Sequence, residues 1–259
     1  MAYQQVDCSS WAELLQEVMR AMRRFENTHH GSPVPFFRGH SSAIYQLLPG
    51  LLRHGRPTGP YNEYDEKNFY YEFRARAGAL LNPGLTSWDV LFLMQHHGVP
   101  TRLLDWTESF ATALYFALEG AQSDADIWLL DPYLLNQQEG NTNDIIDVES
   151  HFESDYFHLF IDPDGCPRPA RTAVAIYPRR QIARLASQHG LFTLHLAKDA
   201  LEDLQQPWLT RFHLIASAIP EANHLLKVLG VNDFSLFPDL DGLSRFLRKR
   251  MHGGYGMMA

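Results

Sequence analysis

The chain has 259 residues, 45% of them hydrophobic and 20% charged, a mix that folds around a core rather than remaining disordered. Its two cysteines, Cys8 and Cys166, exclude a disulfide scaffold and a four-cysteine zinc module, and they suit a reducing, cytoplasmic setting. No run reaches the roughly 18 apolar residues of a membrane span, Met1 to Ser10 lacks a signal-peptide pattern, and a net charge of −8 argues against a protein that coats long nucleic acids.

Ser10 and Glu13 have capping-box spacing, and Trp11, Leu14, Leu15, Val18, Met19, Met22 and Phe25 follow at helical spacing, which predicts an amphipathic helix ending near Asn27. After a loop over Thr28–Pro35, Phe36-Phe37 reads as a short strand running into Arg38-Gly39. Leu47–Gly59 is turn-rich. A helix is predicted over 63–81, stopped by Asn82-Pro83-Gly84, and a second one, capped by Ser87, should end at His97 before Gly98 and Pro100. Thr101–Trp106 reads as extended or turn. Thr107 is placed to cap a buried helix carrying Phe110, Ala113, Leu114, Phe116, Ala117 and Leu118. Strands are predicted at Ile127–Leu130, Thr172–Tyr177, Leu191–Leu196 and Leu209–Ala216, with an acidic, irregular insertion over 134–165. Helices at Ile219–Leu229 and Leu240–Met251 and a frayed tail from Gly253 complete the chain. Helices dominate early and strands late, so the expected fold is α+β around one mixed or antiparallel sheet. The divisions read as an N-terminal helix and loop (1–35), a main domain (36–242) and a basic helix with its tail (243–259).

Charge is unevenly placed. Fourteen acidic residues and no Lys or Arg lie between Leu103 and Pro167, so the rest of the chain holds 16 acids against 22 bases, and 18 of those bases are Arg. Arginine's planar fork suits phosphate and carboxylate. In Phe37-Arg38-Gly39-His40, a guanidinium follows a strand and a glycine allows close backbone approach. Gln95-His96-His97-Gly98-Val99-Pro100-Thr101-Arg102-Leu103-Leu104-Asp105-Trp106-Thr107 packs polar groups between two helices. There Asp105 can pair with Arg102 or fix a histidine tautomer, and Thr107 can serve an anion at a helix N-terminus. Arg179, Arg180 and Arg184 precede Gln188, Gly190 and Phe192, and Arg245, Arg248, Lys249 and Arg250 crowd the last helix. Phosphate-loop, dinucleotide-fingerprint, nucleophile-elbow and zinc-protease motifs are absent, and the 13 histidines are scattered, so no metal site is expected.

Taken together, Phe37-Arg38-Gly39, Leu48-Pro49-Gly50-Leu51-Leu52-Arg53, Glu72-Phe73, Gln95 to Thr107 and Ala113-Leu-Tyr-Phe-Ala117 closely resemble the FRG domain, a family named for its Phe-Arg-Gly motif. Gln188 to Phe192 resembles its later Gln-x-Gly-x-Phe element, and Phe237-Pro-Asp-Leu-Asp-Gly242 resembles a family tail. The resemblance spans about Phe36 to Gly242. It implies a bacterial or phage protein, in some cases of defence loci, with an ADP-ribosyltransferase-like pattern. In that pattern Arg38 grips NAD, Thr101 or Thr107 with Ala113–Ala117 supplies the second element, and Gln188 falls near the place of a catalytic Glu.

An amide gives only a dipole where a carboxylate gives a charge. That departure leaves Asp105, Glu108 or Glu72 as the acid, or else binding without turnover. The leading expectation is an NAD-binding toxin or antiphage effector that modifies a macromolecule or cleaves NAD. Arg38, Asp105 and Gln188 would act on the substrate, while Gly39, Gln95, His96, His97, Thr101, Arg102, Trp106, Thr107, Tyr115, Arg179 and Phe192 would bind it. The alternatives are a non-catalytic module for a nucleotide, RNA or DNA, and a regulatory partner, antitoxin or inhibitor, that docks through the acidic insertion.

Overall fold

The computed structural model describes residues 3–56, 59–152, 155–162, 171–178 and 187–252. Its main strands are β1 (Gln4–Cys8), β2 (Phe36–His40), β5 (Leu103–Thr107), β6 (Ala125–Leu130), β7 (Ile146–Asp147), β8 (Ala173–Tyr177), β9 (Gly190–His195) and β10 (Leu209–Leu214). They form one eight-stranded sheet in the order β1-β10-β6-β2-β5-β9-β8-β7. The two edge pairs, β1 with β10 and β7 with β8, are parallel and the inner pairs antiparallel, so the sheet is mixed, as expected. A small hairpin of β3 (His54–Arg56) and β4 (Gly59–Pro60) lies apart from it.

The centre of the sheet is split. β2 pairs with β6 through all five of its residues, and β5 pairs with β9 through all five. Between β2 and β5 only Phe37 and Thr107 are paired. Beyond that pair the strands part, leaving a fork in the middle of the sheet.

Strand alternation sorts side chains onto the two faces. On one face, Phe37, Ile127, Leu129, Phe212 and Leu214 pack against α1 (Trp11–Thr28), α4 (Phe110–Leu118) and the helix Ile219–Val228. On the same face across the fork, Leu103, Val174, Ile176, Phe192 and Leu194 pack against α2 (Glu63–Ala77) and α3 (Ser87–His96). The opposite face carries Phe36, Leu104, Trp106, Trp128, Leu130 and Leu191, covered by Leu47, Trp208 and Leu135 of α5 (Pro132–Glu139). Helices therefore flank the fork on one side without covering it.

The predicted helices and strands form, with shifts at their ends that capping explains. Thr86, not Ser87, caps α3 through the Asp89 N–H, and Asp89 answers at the Thr86 N–H. Ser109, not Thr107, caps α4. Ser10 caps α1 as expected, but the Glu13 carboxylate turns to the Ser9 N–H and hydroxyl instead of closing a reciprocal box. β1 carries no sequence signal, because only Cys8 of its five residues is fully buried. The described part of the stretch read as an irregular insertion over 134–165 is built into the core. Leu135, Ile146, Val148, Tyr156, Phe160 and Ile161 in it are all buried, their apolar spacing masked by the acids that face solvent between them. The tail from Gly253 lies outside the described residues.

One buried polar network braces the β5 side. Arg102, just before β5, pairs with Glu66 of α2 through both Nε and Nη2 and donates from Nη1 to the His195 carbonyl at 2.8 Å. Tyr156 donates to the same Glu66 at 2.6 Å, and the Phe160 ring lies 4.0 Å from the guanidinium. Burial alone would lower the Arg102 pKa, but Glu66 and Tyr156 outweigh it and the group stays charged. Glu66→Gln strands that buried charge and is expected to cost about 3–5 kcal/mol in urea unfolding.

Two buried histidines set an acid limit on the fold. Burial and the nearby Arg38 and Arg53 charges bring His40 down to about 2, and burial with Arg102, Arg38 and Arg53 brings His195 to about 3. Unfolded, each regains an ordinary value of about 6.5 and takes up a proton below it. The stability gained by keeping them neutral is thus complete above about pH 7 and drains away as pH falls below about 6.5, by about 1.4 kcal/mol per unit for each. Unfolding free energy is expected to be about 3 kcal/mol lower at pH 5.5 than at pH 7.5; a flat profile between these values would contradict neutral burial.

Candidate functional site

A cavity of about 360 Å³ opens over the fork. Gly39, Asp105 and Thr107 form its floor. Phe92, Gln95 and His96 of α3 line one wall, Thr112, Ala113 and Phe116 of α4 the other, and Gln188 and Phe192 contribute from β9 and the turn before it. Arg38, His40, Ser41, Tyr45 and Arg53 close the remaining side. Arg38, Asp105 and Gln188, far apart in the chain, share this one cleft.

Arg38 occupies the fork. Its Nη1 donates to the Asp105 carbonyl oxygen at 2.5 Å, and its Nε donates to His40 Nε2 at 3.0 Å. The guanidinium thus satisfies a β5 carbonyl that β2 does not reach. The bond to Nε2 places the neutral His40 proton on Nδ1. Burial and the Arg53 charge lower the Arg38 pKa to about 10, against the opposing pull of Asp105, so it remains a cation at neutral pH. Among the described residues it has no carboxylate in an ion pair, and its charge is available to a bound anion.

Asp105 is the one exposed residue of β5. Its carboxylate is fixed by a relay: the Leu103 N–H donates to Thr101 Oγ1, the Thr101 hydroxyl donates to Gln95 Oε1 at 2.5 Å, and Gln95 Nε2 donates to Asp105 Oδ2 at 2.8 Å. Each partner fixes the orientation of the next, so the Gln95 amide has only one way to face. Phe92 and Phe192 stack at 5.5 Å and 29°, giving the cleft an aromatic side.

Several expected site residues have other work. Gly39, on the cleft floor, is required by packing. A Cβ there would collide with the Ala113 carbonyl oxygen, so the glycine lets α4 lie on β2 at backbone contact. Arg102 cannot assist Arg38, being committed to Glu66. Thr101 is buried and reaches the cleft only through Gln95. Trp106 borders the cavity but is buried, with Nε1 donating to Thr193 Oγ1. The Thr107 hydroxyl donates to the Gln188 carbonyl and accepts from the Ser109 N–H, which commits it to a turn rather than to a ligand.

His97 faces a second hollow, with Phe73, Leu85 and Phe92, and Tyr115 is buried on the far side of α4 against Glu119 and Asp233. Of the other candidate acids, Glu108 pairs with His189 and Glu72 with Arg76, and neither lines the cleft. Arg179, Arg180 and Arg184 lie outside the described residues. Sequence reading passed over Ser41, Tyr45, Phe92, Thr112 and Phe116. Phe116 reads in the sequence as one apolar residue of a buried helix, Phe92 carries no signal of its own, and nothing in the chain order marks the gap between α3 and α4.

No curated protein and no solved structure matches the chain. A family model does: that of the FRG domain, over residues 34–126. The match takes in β2, α2, α3, β5 and α4 and ends as β6 begins, so Gln188 and the Phe237–Gly242 tail fall outside it. The fork, Arg38 within its Phe-Arg-Gly motif, and the relay from Thr101 to Asp105 all lie inside it: residues 34–126 match an FRG domain.

Proposed function

We propose that the fork cleft binds a nucleotide, NAD above all, and that the protein is an ADP-ribosyltransferase-like effector, acting as a toxin or in antiphage defence. The observation that carries this reading is the shared cleft of Arg38, Asp105 and Gln188. One end offers cations, Arg38 and Arg53, for a pyrophosphate. The aromatic side of Phe92 and Phe192 suits a planar ring. The Asp105 carboxylate, held open by Gln95, suits a ribose or the charge that develops on it.

In the reaction, the bond between ribose C1′ and the nicotinamide nitrogen breaks, and its electron pair leaves with neutral nicotinamide. Asp105 stabilises the cationic ribose, and water or a nucleophile on a protein or nucleic acid adds to C1′ and gives up its proton. Mono-ADP-ribosylation and NAD cleavage differ only in that nucleophile.

One observation favours a second reading, nucleotide binding without turnover. Gln188 stands near the place of a catalytic acid, and its amide is already tied to the Leu236 carbonyl. Docking through an acidic insertion has less to stand on, since the described residues of that segment contribute to the core.

Calorimetry with NAD and an assay of nicotinamide release separate these readings. Wild type is expected to bind, and Arg38→Ala to bind about 10- to 100-fold more weakly, the worth of a charge-assisted hydrogen bond. Asp105→Ala is expected to keep binding within a few-fold and to lose turnover. Binding without nicotinamide release by wild type selects the second reading, and equal affinity of wild type and Arg38→Ala removes both.

A further inference from the structure

The tail Phe237–Gly242 and the basic last helix have no part in the reading above, yet they pack behind residues of the cleft. The chain turns a corner at the short helix Asp233–Leu236 and then enters the C-terminal helix Leu240–His252. At that corner the Leu236 carbonyl oxygen accepts from the Ser187 hydroxyl at 3.0 Å and from Gln188 Nε2 at 3.1 Å. The next residue, Phe237, sets its ring edge-on to Phe116, a wall of the cleft, at 6.2 Å and 87°. The corner therefore backs two cleft residues from behind.

Charges lock the corner in place. Asp233 is 3% exposed. It takes Lys249 Nζ at 2.9 Å and Arg245 Nε at 3.4 Å, and the Arg245 guanidinium lies 4.7 Å from the Phe237 ring. Lys249 also reaches both Glu119 oxygens at 2.7 Å, tying the last helix to the end of α4. Burial would raise the Asp233 carboxyl, but hydrogen bonds from Lys249 and Tyr115 hold it below its ordinary value. Gly242 fits because a Cβ there would strike the Phe237 carbonyl oxygen.

This arrangement decides which way Gln188 faces. A carbonyl oxygen only accepts, so the amide nitrogen must point at Leu236, and the amide oxygen takes no part in that bond on a residue that lines the cleft. Resting on the nucleotide reading above, we propose that the corner Asp233–Phe237 is a positioning element of the ligand site. It presents Gln188 Oε1 as an acceptor and so selects a ligand with a hydroxyl or amide N–H, not a phosphate, at that end.

The test is calorimetry with NAD on the full chain, in a double-mutant cycle. Lys249→Ala is expected to weaken binding about 5- to 10-fold in the wild-type background and less than about 2-fold in Gln188→Ala. Lys249→Arg should restore most of the loss. Gln188→Glu should bind as poorly as Gln188→Ala, because a carboxylate cannot donate to Leu236. Equal losses from Lys249→Ala in both backgrounds, or undiminished affinity in Gln188→Glu, would overturn the proposal. Amide hydrogen exchange without ligand separates its failure from that of the nucleotide reading. If wild type binds no NAD, the nucleotide reading fails; faster exchange over 187–192 in Lys249→Ala still upholds the positioning role, and unchanged exchange there overturns it.

Discussion

The single pairing of Phe37 with Thr107 governs everything around it. Two halves of a sheet that met along a full ladder would leave no fork and no cleft. Because they meet at one pair, backbone groups of β2 and β5 beyond it lack a strand partner, and buried polar backbone must find one. Arg38 answers that need at the Asp105 carbonyl. The demand that repairs the split sheet also places a cation in its middle, so a structural repair and an anion site are the same side chain.

Two arginines whose charges both act on His195 show how context divides one chemistry into two roles. Arg102 has a buried carboxylate, a carbonyl and an aromatic ring around it, and its charge is fully used. Removing a partner there threatens the fold. Arg38 has a carbonyl and a neutral imidazole. Neither cancels its charge, which is what a ligand site needs. The low pKa of His40 and His195 belongs to the same design, since a proton on either ring would set a second positive charge beside an arginine.

Local patterns carried far into this fold. Apolar patterning and stop residues located α1 to α4, and runs such as Ala-Val-Ala-Ile located the inner strands, because buried elements need apolar residues at the period of their own geometry. Where burial is one-sided or interrupted the signal fails. β1 exposes most of its residues, and the segment 134–165 hides its core positions among acids. The site was legible in the same measure. Arg38, Gln95, His96, Asp105, Gln188 and Phe192 stood out as polar or motif residues and do line the cleft. Thr101, Arg102 and Tyr115 stand out for the same reason and instead hold other residues in place, while Thr107 lines the cleft with its hydroxyl tied to the Gln188 carbonyl.

By itself, the sequence determined the α+β class, the order of the elements, the FRG motifs and the use of arginine for positive charge, because these depend on residue type and on neighbours a few positions away. Only the tertiary structure decided which arginine is spent and which is available, that Gly39 serves helix packing, and that the C-terminal corner backs Gln188. Those outcomes turn on which groups meet across the sheet, and a hydrogen bond or an ion pair formed between distant parts of the chain leaves no periodic trace in either part.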